Sequence, residues 1–327
     1  MTYSRKHLLA AFIGVMLAMP ALTSPSWSFP DRPVRIIVPY APGGGNDALA
    51  RILGQKLEEQ WGKPVIVENK SGGNTIIATE FTAKQPADGY TILMVTTVFA
   101  VNPSLVQKLS YDTLANFTPV ILAGTAPNVL VTKPSLPVNS VKELIAYAHA
   151  NPGKLTYGFP GAGTTPHLAV ELFNSDANVK AVGVTFRGTQ PQLLALLSGD
   201  LDYMFDVTSS LELVKDGRLK GLAVSSSTRL EKFPDIPTMV EAGLPGYEAY
   251  TWFGFVVAAG TPPEVVSQIN QGFNKGIQDP AVRARVDSLG IRLAGGSPQD
   301  FGKHIHSEMD KWSAVIRKAG IKPDANP

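Results

Sequence analysis

Val34-Arg35-Ile36-Ile37-Val38-Pro39-Tyr40-Ala41-Pro42-Gly43-Gly44-Gly45-Asn46-Asp47-Ala48-Leu49-Ala50-Arg51-Ile52-Leu53 holds a strand, a glycine turn and the start of a helix in one run. Val34, Ile36, Ile37 and Val38 are a β-branched cluster suited to a strand buried on both faces. Pro39 and Pro42 end it, because proline donates no ladder hydrogen bond. Gly43, Gly44 and Gly45 reach positive φ without steric cost and let a ligand approach bare backbone. Asn46 or Asp47 is expected to cap a helix whose apolar Leu49, Ile52, Leu53 and Leu57 recur at helical spacing. A glycine turn opening a helix aims free N–H groups and the positive end of a dipole at one point, where anions bind. The run therefore predicts an anion site, Pro42 to Asp47, within an α/β fold.

N-terminal to this run the chain reads as an export leader. Arg5, Lys6 and His7 precede an apolar segment from Leu8 to Met19, Pro20 breaks it, and Ser26-Trp27-Ser28 is a small-x-small cleavage pattern. The apolar segment is too short to span a bilayer. Residues 1–28 are thus expected to be a signal peptide, and the mature chain to be soluble outside the cytoplasm. Arg5 and Lys6 account for the whole formal net charge of +2, so the mature chain carries no basic footprint for nucleic acid. Without cysteine there is no disulfide framework and no thiol chemistry.

C-terminal to it, strands and helices alternate. Val65–Glu68 and Tyr90–Val95 read as strands, Ser71-Gly72-Gly73-Asn74 as a second glycine turn, and Thr75–Lys84 as a helix. Thr96, Thr97 and Asn102-Pro103 mark an irregular loop. Ser140-Val141-Lys142-Glu143 is a capping box, and Leu155–Phe159 is a strand ahead of Pro160-Gly161-Ala162-Gly163-Thr164-Thr165, with Pro166 and His167 opening the next helix. Strands are expected again at Ala181–Phe186, Leu201–Phe205, Leu219–Ser225 and Trp252–Ala258. Phe233–Tyr250 is expected to be a surface connection, and helices close the chain at Pro263–Gln278, Ala281–Leu289 and Pro298–Ala319. The second half repeats the first: strand, proline, glycine turn, helix. Ligands of open α/β sheets sit beyond the carboxyl ends of strands, so two such turns predict a solute held in a cleft between two lobes.

The polar candidates fall at strand ends. Asn74 opens a helix, Thr97 ends the third strand, Arg187 follows Ala181–Phe186, and Asp206 follows Leu201–Phe205. Asp206 would repel a carboxylate, so a hydroxyl, amine or N–H partner is expected for it. His167 beside Thr164 and Thr165 is expected to bind ligand, cap or pack. His304-x-His306 with Glu308 has metal-ligand residue types, but positions two apart on a helix do not share a face, so a solvated surface is expected there. No Gly-x-Ser-x-Gly elbow is present. Gly43-x-Gly45-x-x-Ala48, with Glu68 ending the next strand, also fits a dinucleotide fingerprint. The alternative reading is therefore an exported dinucleotide-binding oxidoreductase.

Phe29-Pro30-Asp31-Arg32-Pro33 leading to Pro39-Tyr40-Ala41-Pro42-Gly43-Gly44 resembles the mature start of the tripartite tricarboxylate transporter substrate-binding proteins, the Bug family. The resemblance runs on through Gly62–Asn69, Ala87-Asp88-Gly89-Tyr90-Thr91, Asn151-Pro152-Gly153-Lys154-Leu155, His167-Leu168-Ala169, Met204-Phe205-Asp206, Ala242–Tyr247 and Ala258–Pro262. It implies a two-lobe type II periplasmic-binding-protein fold, each lobe a mainly parallel sheet flanked by helices. Residues 29–126 with 253–327 would form one lobe and 127–252 the other. It further implies a non-enzymatic monomer without cofactor or metal, which binds a small organic carboxylate and serves membrane permease subunits; a sensor-coupled protein would share the pocket. Carried over, the binding turns are Pro42, Gly43, Gly44, Gly45, Asn46 and Asp47, and Gly161, Gly163, Thr164 and Thr165 with His167. Asn74, Thr97, Arg187 and Asp206 match pocket neighbourhoods less closely. Relatives often carry a threonine before the first-turn aspartate and small hydroxyl residues after the second-lobe glycine, where this chain has Asn46 and Phe159-Pro160. Phe159, with Tyr40, Phe186 and Phe205, implies an apolar wall and a carboxylate with an apolar or aromatic body.

Overall fold

The computed structural model describes residues 29–207 and 210–322; the expected leader, residues 1–28, lies outside them. In chain order the first elements are β1 (Val34–Val38), α1 (Gly45–Trp61), β2 (Val65–Asn69), α2 (Ile76–Ala83), β3 (Thr91–Thr96), α3 (Thr97–Leu105) and β4 (Phe117–Pro127). Next come β5 (Val129–Thr132), α4 (Val141–Ala150), β6 (Thr156–Phe159), α5 (Thr165–Asp176), β7 (Val182–Thr185), α6 (Thr189–Ser198), β8 (Tyr203–Asp206), α7 (Leu211–Lys215) and β9 (Lys220–Val224). The chain closes with β10 (Tyr250–Ala258), α8 (Pro263–Gln278), α9 (Pro280–Asp287), β11 (Arg292–Leu293) and α10 (Pro298–Ala319).

Two sheets result, ordered β11-β4-β10-β3-β1-β2 and β7-β6-β8-β5-β9. In the first, β1 lies between parallel β2 and β3; in the second, β6 lies between parallel β7 and β8. The remaining pairings are antiparallel, because β4, β5 and β10 carry the chain across from one sheet to the other and back. The strands before the Pro42–Asp47 and Pro160–Thr165 turns are thus each flanked by two parallel neighbours. Alternate residues of the first sheet face different cores: Ile36, Val38, Met94 and Phe255 meet α1 and α8, whereas Ile37, Leu93, Val95 and Trp252 meet α2 and α10.

Two segments differ from expectation. Thr97–Leu105 is a helix, not a loop, although it contains Pro103. Proline withholds the N–H that Phe99 O would receive, and the Thr113 hydroxyl reaches that carbonyl instead at 3.5 Å. Phe233–Tyr250 is not a surface connection: Met239, Leu244, Tyr247 and Ala249 are buried in the second lobe, and the Tyr247 hydroxyl donates to Ala169 O at 2.7 Å.

The C-terminal helix belongs to both cores. Phe301 and Ile305 pack with Trp252 under the first sheet, while Trp312, Val315 and Ile316 pack with Leu168 and Phe173 under the second. Between them, Glu308 is 3% exposed. Its Oε2 accepts the indole N–H of Trp252 at 3.0 Å and that of Trp312 at 2.8 Å, and its other oxygen pairs with Lys311. The expected solvated surface is therefore wrong for Glu308: of the three, only His306 is exposed. Replacing a buried acceptor strands its donors. Glu308→Leu, leaving two indole N–H groups unpaired, should lower unfolding free energy in urea by roughly 3–5 kcal/mol, and Glu308→Gln by less.

Candidate solute-binding site

The first glycine turn leaves the carboxyl end of β1. Gly44, extended at φ −82° and ψ 171°, is the N-cap of α1, so neither Asn46 nor Asp47 caps as expected. Asp47 is the third helical residue and reaches back: its Oδ2 accepts the Gly43 N–H at 2.9 Å and Arg51 Nε at 3.0 Å. Its Oδ1 accepts Asn69 Nδ2 at 2.9 Å. Asn69 also donates to Tyr40 O at 3.0 Å and receives Arg51 Nη2 at 3.0 Å. The Arg51 hydrogen bond holds the Asp47 carboxyl down at about 2, against the opposing effect of burial. Asp47 is 4% exposed, so its charge braces the turn from inside. Sequence reading misses both partners: the i,i+4 spacing to Asp47 on one helix face is a local signal for Arg51, whereas Asn69 comes from β2 and has none.

In front of the brace, Pro42–Gly45 are exposed. A Cβ at Gly44 or Gly45 would meet nothing within 4 Å. The N–H groups of Gly45, Asn46 and Asp47 have no carbonyl behind them in the helix, by construction. Tyr40 turns to the end of β3, its hydroxyl 2.6 Å from Thr96 Oγ1. Burial raises that hydroxyl to about 12, so it stays neutral.

The second turn is built on the same plan, except that Pro166 at the second helical position has no N–H, which leaves those of Thr165 and His167. Thr164 is the N-cap of α5, extended at φ −68° and ψ 154°, and makes no side-chain cap bond. The Gly163 N–H donates to Nδ1 of His167, the third helical residue, at 3.0 Å. Gly43 and Gly163 both take positive φ, 89° and 74°, where a side chain would strain the backbone. The first α-helical bonds also match, Ala48 N–H to Gly44 O at 2.9 Å and Leu168 N–H to Thr164 O at 3.0 Å. The Thr164 hydroxyl donates to Gly161 O at 2.8 Å. A Cβ on Gly163 would lie 2.2 Å from Leu105 Cδ1, which places this second-lobe turn directly against α3 of the first.

His167 stacks on Phe159 with ring centroids 4.0 Å apart, and its Nε2 lies 3.6 Å from Glu171 Oε1, which also takes the Tyr157 hydroxyl. Burial lowers the imidazole to about 4 and raises the Glu171 carboxyl. At neutral pH the ring is uncharged; with Nδ1 accepting, the proton is assigned to Nε2.

Other expected residues divide by what their polar atoms already do. Thr97 is fully buried and its hydroxyl accepts the Trp252 N–H at 3.2 Å, so it holds β10 and does not line the cleft. Asp206 is 2% exposed and accepts the Ser210 N–H at 2.6 Å, the N–H partner expected of it. Thr165 is buried in the first turn of α5. Phe205 is buried in the second core, which removes it from the proposed apolar wall. Phe159, Gly161 and Thr164 remain partly exposed. Arg187 is exposed, and among the described residues no carboxylate pairs with it. Asn74 donates to Asn102 Oδ1 at 2.9 Å within a left-handed run, Gly72, Gly73, Asn74 and Thr75 having φ of 127°, 53°, 48° and 74°. Positive φ at β-branched Thr75 is costly, and Asn102, donating to Asn74 O at 3.0 Å, helps to hold the run. Val207, just past β8, packs with the first-lobe cluster that also holds Tyr40, a second contact between lobes at this end of the sheets.

The family model described as tripartite tricarboxylate transporter family receptor matches residues 49–321. The chain belongs to this family. Among curated relatives, BugT of Bordetella pertussis is 34% identical over 96% of this chain and 98% of its own length. A UPF0065 protein of Pseudomonas sp. strain P51 is 38% identical over 95% of this chain and 94% of its own length. Among solved structures, R. palustris Rpa4515 with adipate is 36% identical with a TM-score of 0.79, covering 90% of this chain and 100% of that one. The periplasmic binding protein BugD is 31% identical with a TM-score of 0.76 and the same coverage. MatC of Rhodopseudomonas palustris with malate is 29% identical with a TM-score of 0.74, covering 88% of this chain and 100% of that one. The fold is thus the type II periplasmic-binding-protein fold, and the receptor binds its solute without transforming it. The oxidoreductase reading is overturned, and Glu68, its ribose acid, faces Arg35 at 3.8 Å instead.

A histidine held neutral by the fold makes stability depend on pH. The folded value, about 4, lies below the unfolded value of about 6.5, so the unfolded chain binds more protons between them. His167 contributes fully above that window and loses its contribution as pH falls through it. Glu171, shifted upward, acts in the opposite sense. In urea titrations from pH 7 to pH 4, the receptor should lose roughly 1–3 kcal/mol relative to its His167→Asn variant, which keeps Glu171.

Proposed function

We propose that this receptor captures a small organic carboxylate between the Pro42–Asp47 and Pro160–Thr165 turns, in the periplasm, and delivers it to membrane permease subunits. The observation that carries the reading is the pair of matched helix N-termini, one per lobe, each following the central strand of a parallel triplet. An uncapped helix end offers N–H donors and a positive dipole to an anion. Rpa4515 holding adipate and MatC holding malate support a carboxylate solute. Arg187 offers a second positive charge, and half-buried Phe159 an apolar surface. A carboxylate with an apolar body suits this pairing better than a small hydroxylated acid. The chain passes between sheets at Asn128 and at Ala249–Tyr250, where Asn128 Nδ2 and the Ser225 hydroxyl both bond Ala249 O; these passages are the proposed hinge.

Mass spectrometry of the natively purified protein should release a small organic acid. In a thermal-shift panel, adipate and benzoate should raise the melting temperature more than malate or citrate. Stabilisation by malate and citrate alone would overturn the apolar-body assignment. Gly44→Val tests the site itself. Its side chain would enter space that no protein atom occupies, so solute binding should fall by about a hundredfold or more, equivalent to about 2.8 kcal/mol or more. The melting temperature of the empty protein should stay within about 2 °C, because a surface substitution changes stability by no more than about 0.5 kcal/mol. Unchanged binding would place the site elsewhere.

A further inference from the structure

We infer that Asp47 and His167 are matched positioning residues, each fixing the glycine ahead of a solute-binding helix while leaving that helix's own donors open. The assignment to solute binding rests on the function proposed above; the bracing itself is a property of the unliganded chain.

At α4, Ser140 Oγ accepts the Glu143 N–H at 3.1 Å, and Glu143 Oε2 reaches back to the Asn139 N–H at 2.7 Å. Two bonds close this end: the cap side chain consumes a first-turn donor, and the third helical residue ties down the residue before the cap. At α1 and α5 only the second bond is made. Asp47 ties Gly43 and His167 ties Gly163, both four residues apart as in α4. The first bond is missing at both ends. Gly44 has no side chain to supply it, and the Thr164 hydroxyl is turned to Gly161 O. Each turn is therefore stiffened without spending the N–H groups that an anion would use.

Aspartate and histidine look unlike, yet Oδ and Nδ1 stand the same number of bonds from the backbone. Either atom delivers an acceptor to the same place, provided the imidazole is neutral, as the inward N–H requires. Both side chains are nearly inaccessible, Asp47 at 4% and His167 at 5% exposure, so neither is placed to touch solute. What differs is charge: Asp47 faces Arg51, whereas His167 lies among Phe159, Glu171 and Tyr157.

Two measurements test the assignment on the full mature chain: amide hydrogen exchange at Gly43 and Gly163 without solute, and calorimetric affinity for adipate. His167→Ala should speed exchange at Gly163 alone, and Asp47→Ala at Gly43 alone, each by about tenfold, the worth of one hydrogen bond. Adipate affinity should fall by a similar factor. His167→Asn and Asp47→Asn, which keep an acceptor at the same atom position, should restore both readings to within about threefold, the spread of single hydrogen-bond strengths. Unchanged exchange in the alanine variants, or asparagine as poor as alanine, would overturn the assignment. If His167→Ala fails to fold, nitrogen NMR of the wild-type imidazole decides: an unprotonated Nδ1 supports the brace and a protonated one refutes it. Wild-type protein that ignores adipate would count against the proposed solute, while the exchange readings would still decide the brace.

Discussion

A helix cannot satisfy the N–H groups of its own first turn, and this constraint organises the receptor. A side chain can close such ends, as Ser140, Asp279 and Ser297 do here. At Gly44 and Thr164 no side chain closes them. The sheets place both open ends after the middle strand of a parallel triplet, where strand carboxyl ends and helix amino ends coincide. Asp47 and His167 hold the backbone in front of these helices from the protein interior. On the function proposed above, the solute would meet main chain at both turns; Rpa4515 with adipate and MatC with malate share the architecture.

The two lobes are less separate than two sheets suggest. Helix α10 is buried against both, α3 lies against the second-lobe turn at Gly163, and Val207 packs into the first-lobe core. Glu308 fixes the crossing of α10 through two indoles, one from each core. A motion between lobes must bend around these contacts, not merely at the strand passages near Asn128 and Ala249.

Much of this arrangement was legible in local pattern. The β-branched run at Val34–Val38, the glycine turns, the capping box at Ser140 and the proline-started C-terminal helices each specify structure over a few residues. Readings failed where distant partners decided. Thr97 looks like a cleft residue until Trp252, far along the chain, is seen to use its hydroxyl. Phe205 looks like a pocket wall until the second core closes over it, and Phe233–Tyr250 looks like surface because its glycines and prolines mask Met239 and Tyr247.

By itself, the sequence determined that this is an α/β chain with two strand–glycine–helix units and no cysteine chemistry, because backbone propensity and hydrophobic periodicity act over short spans. Only the tertiary structure decided which polar atoms remain open. Asp47, His167, Thr97 and Asp206 carry the residue types of ligands, yet each has its acceptor atom engaged by an N–H within the protein. Hydrogen-bonding capacity is finite, and whether it is spent inside the fold or left for a solute depends on neighbours brought together only when the chain folds.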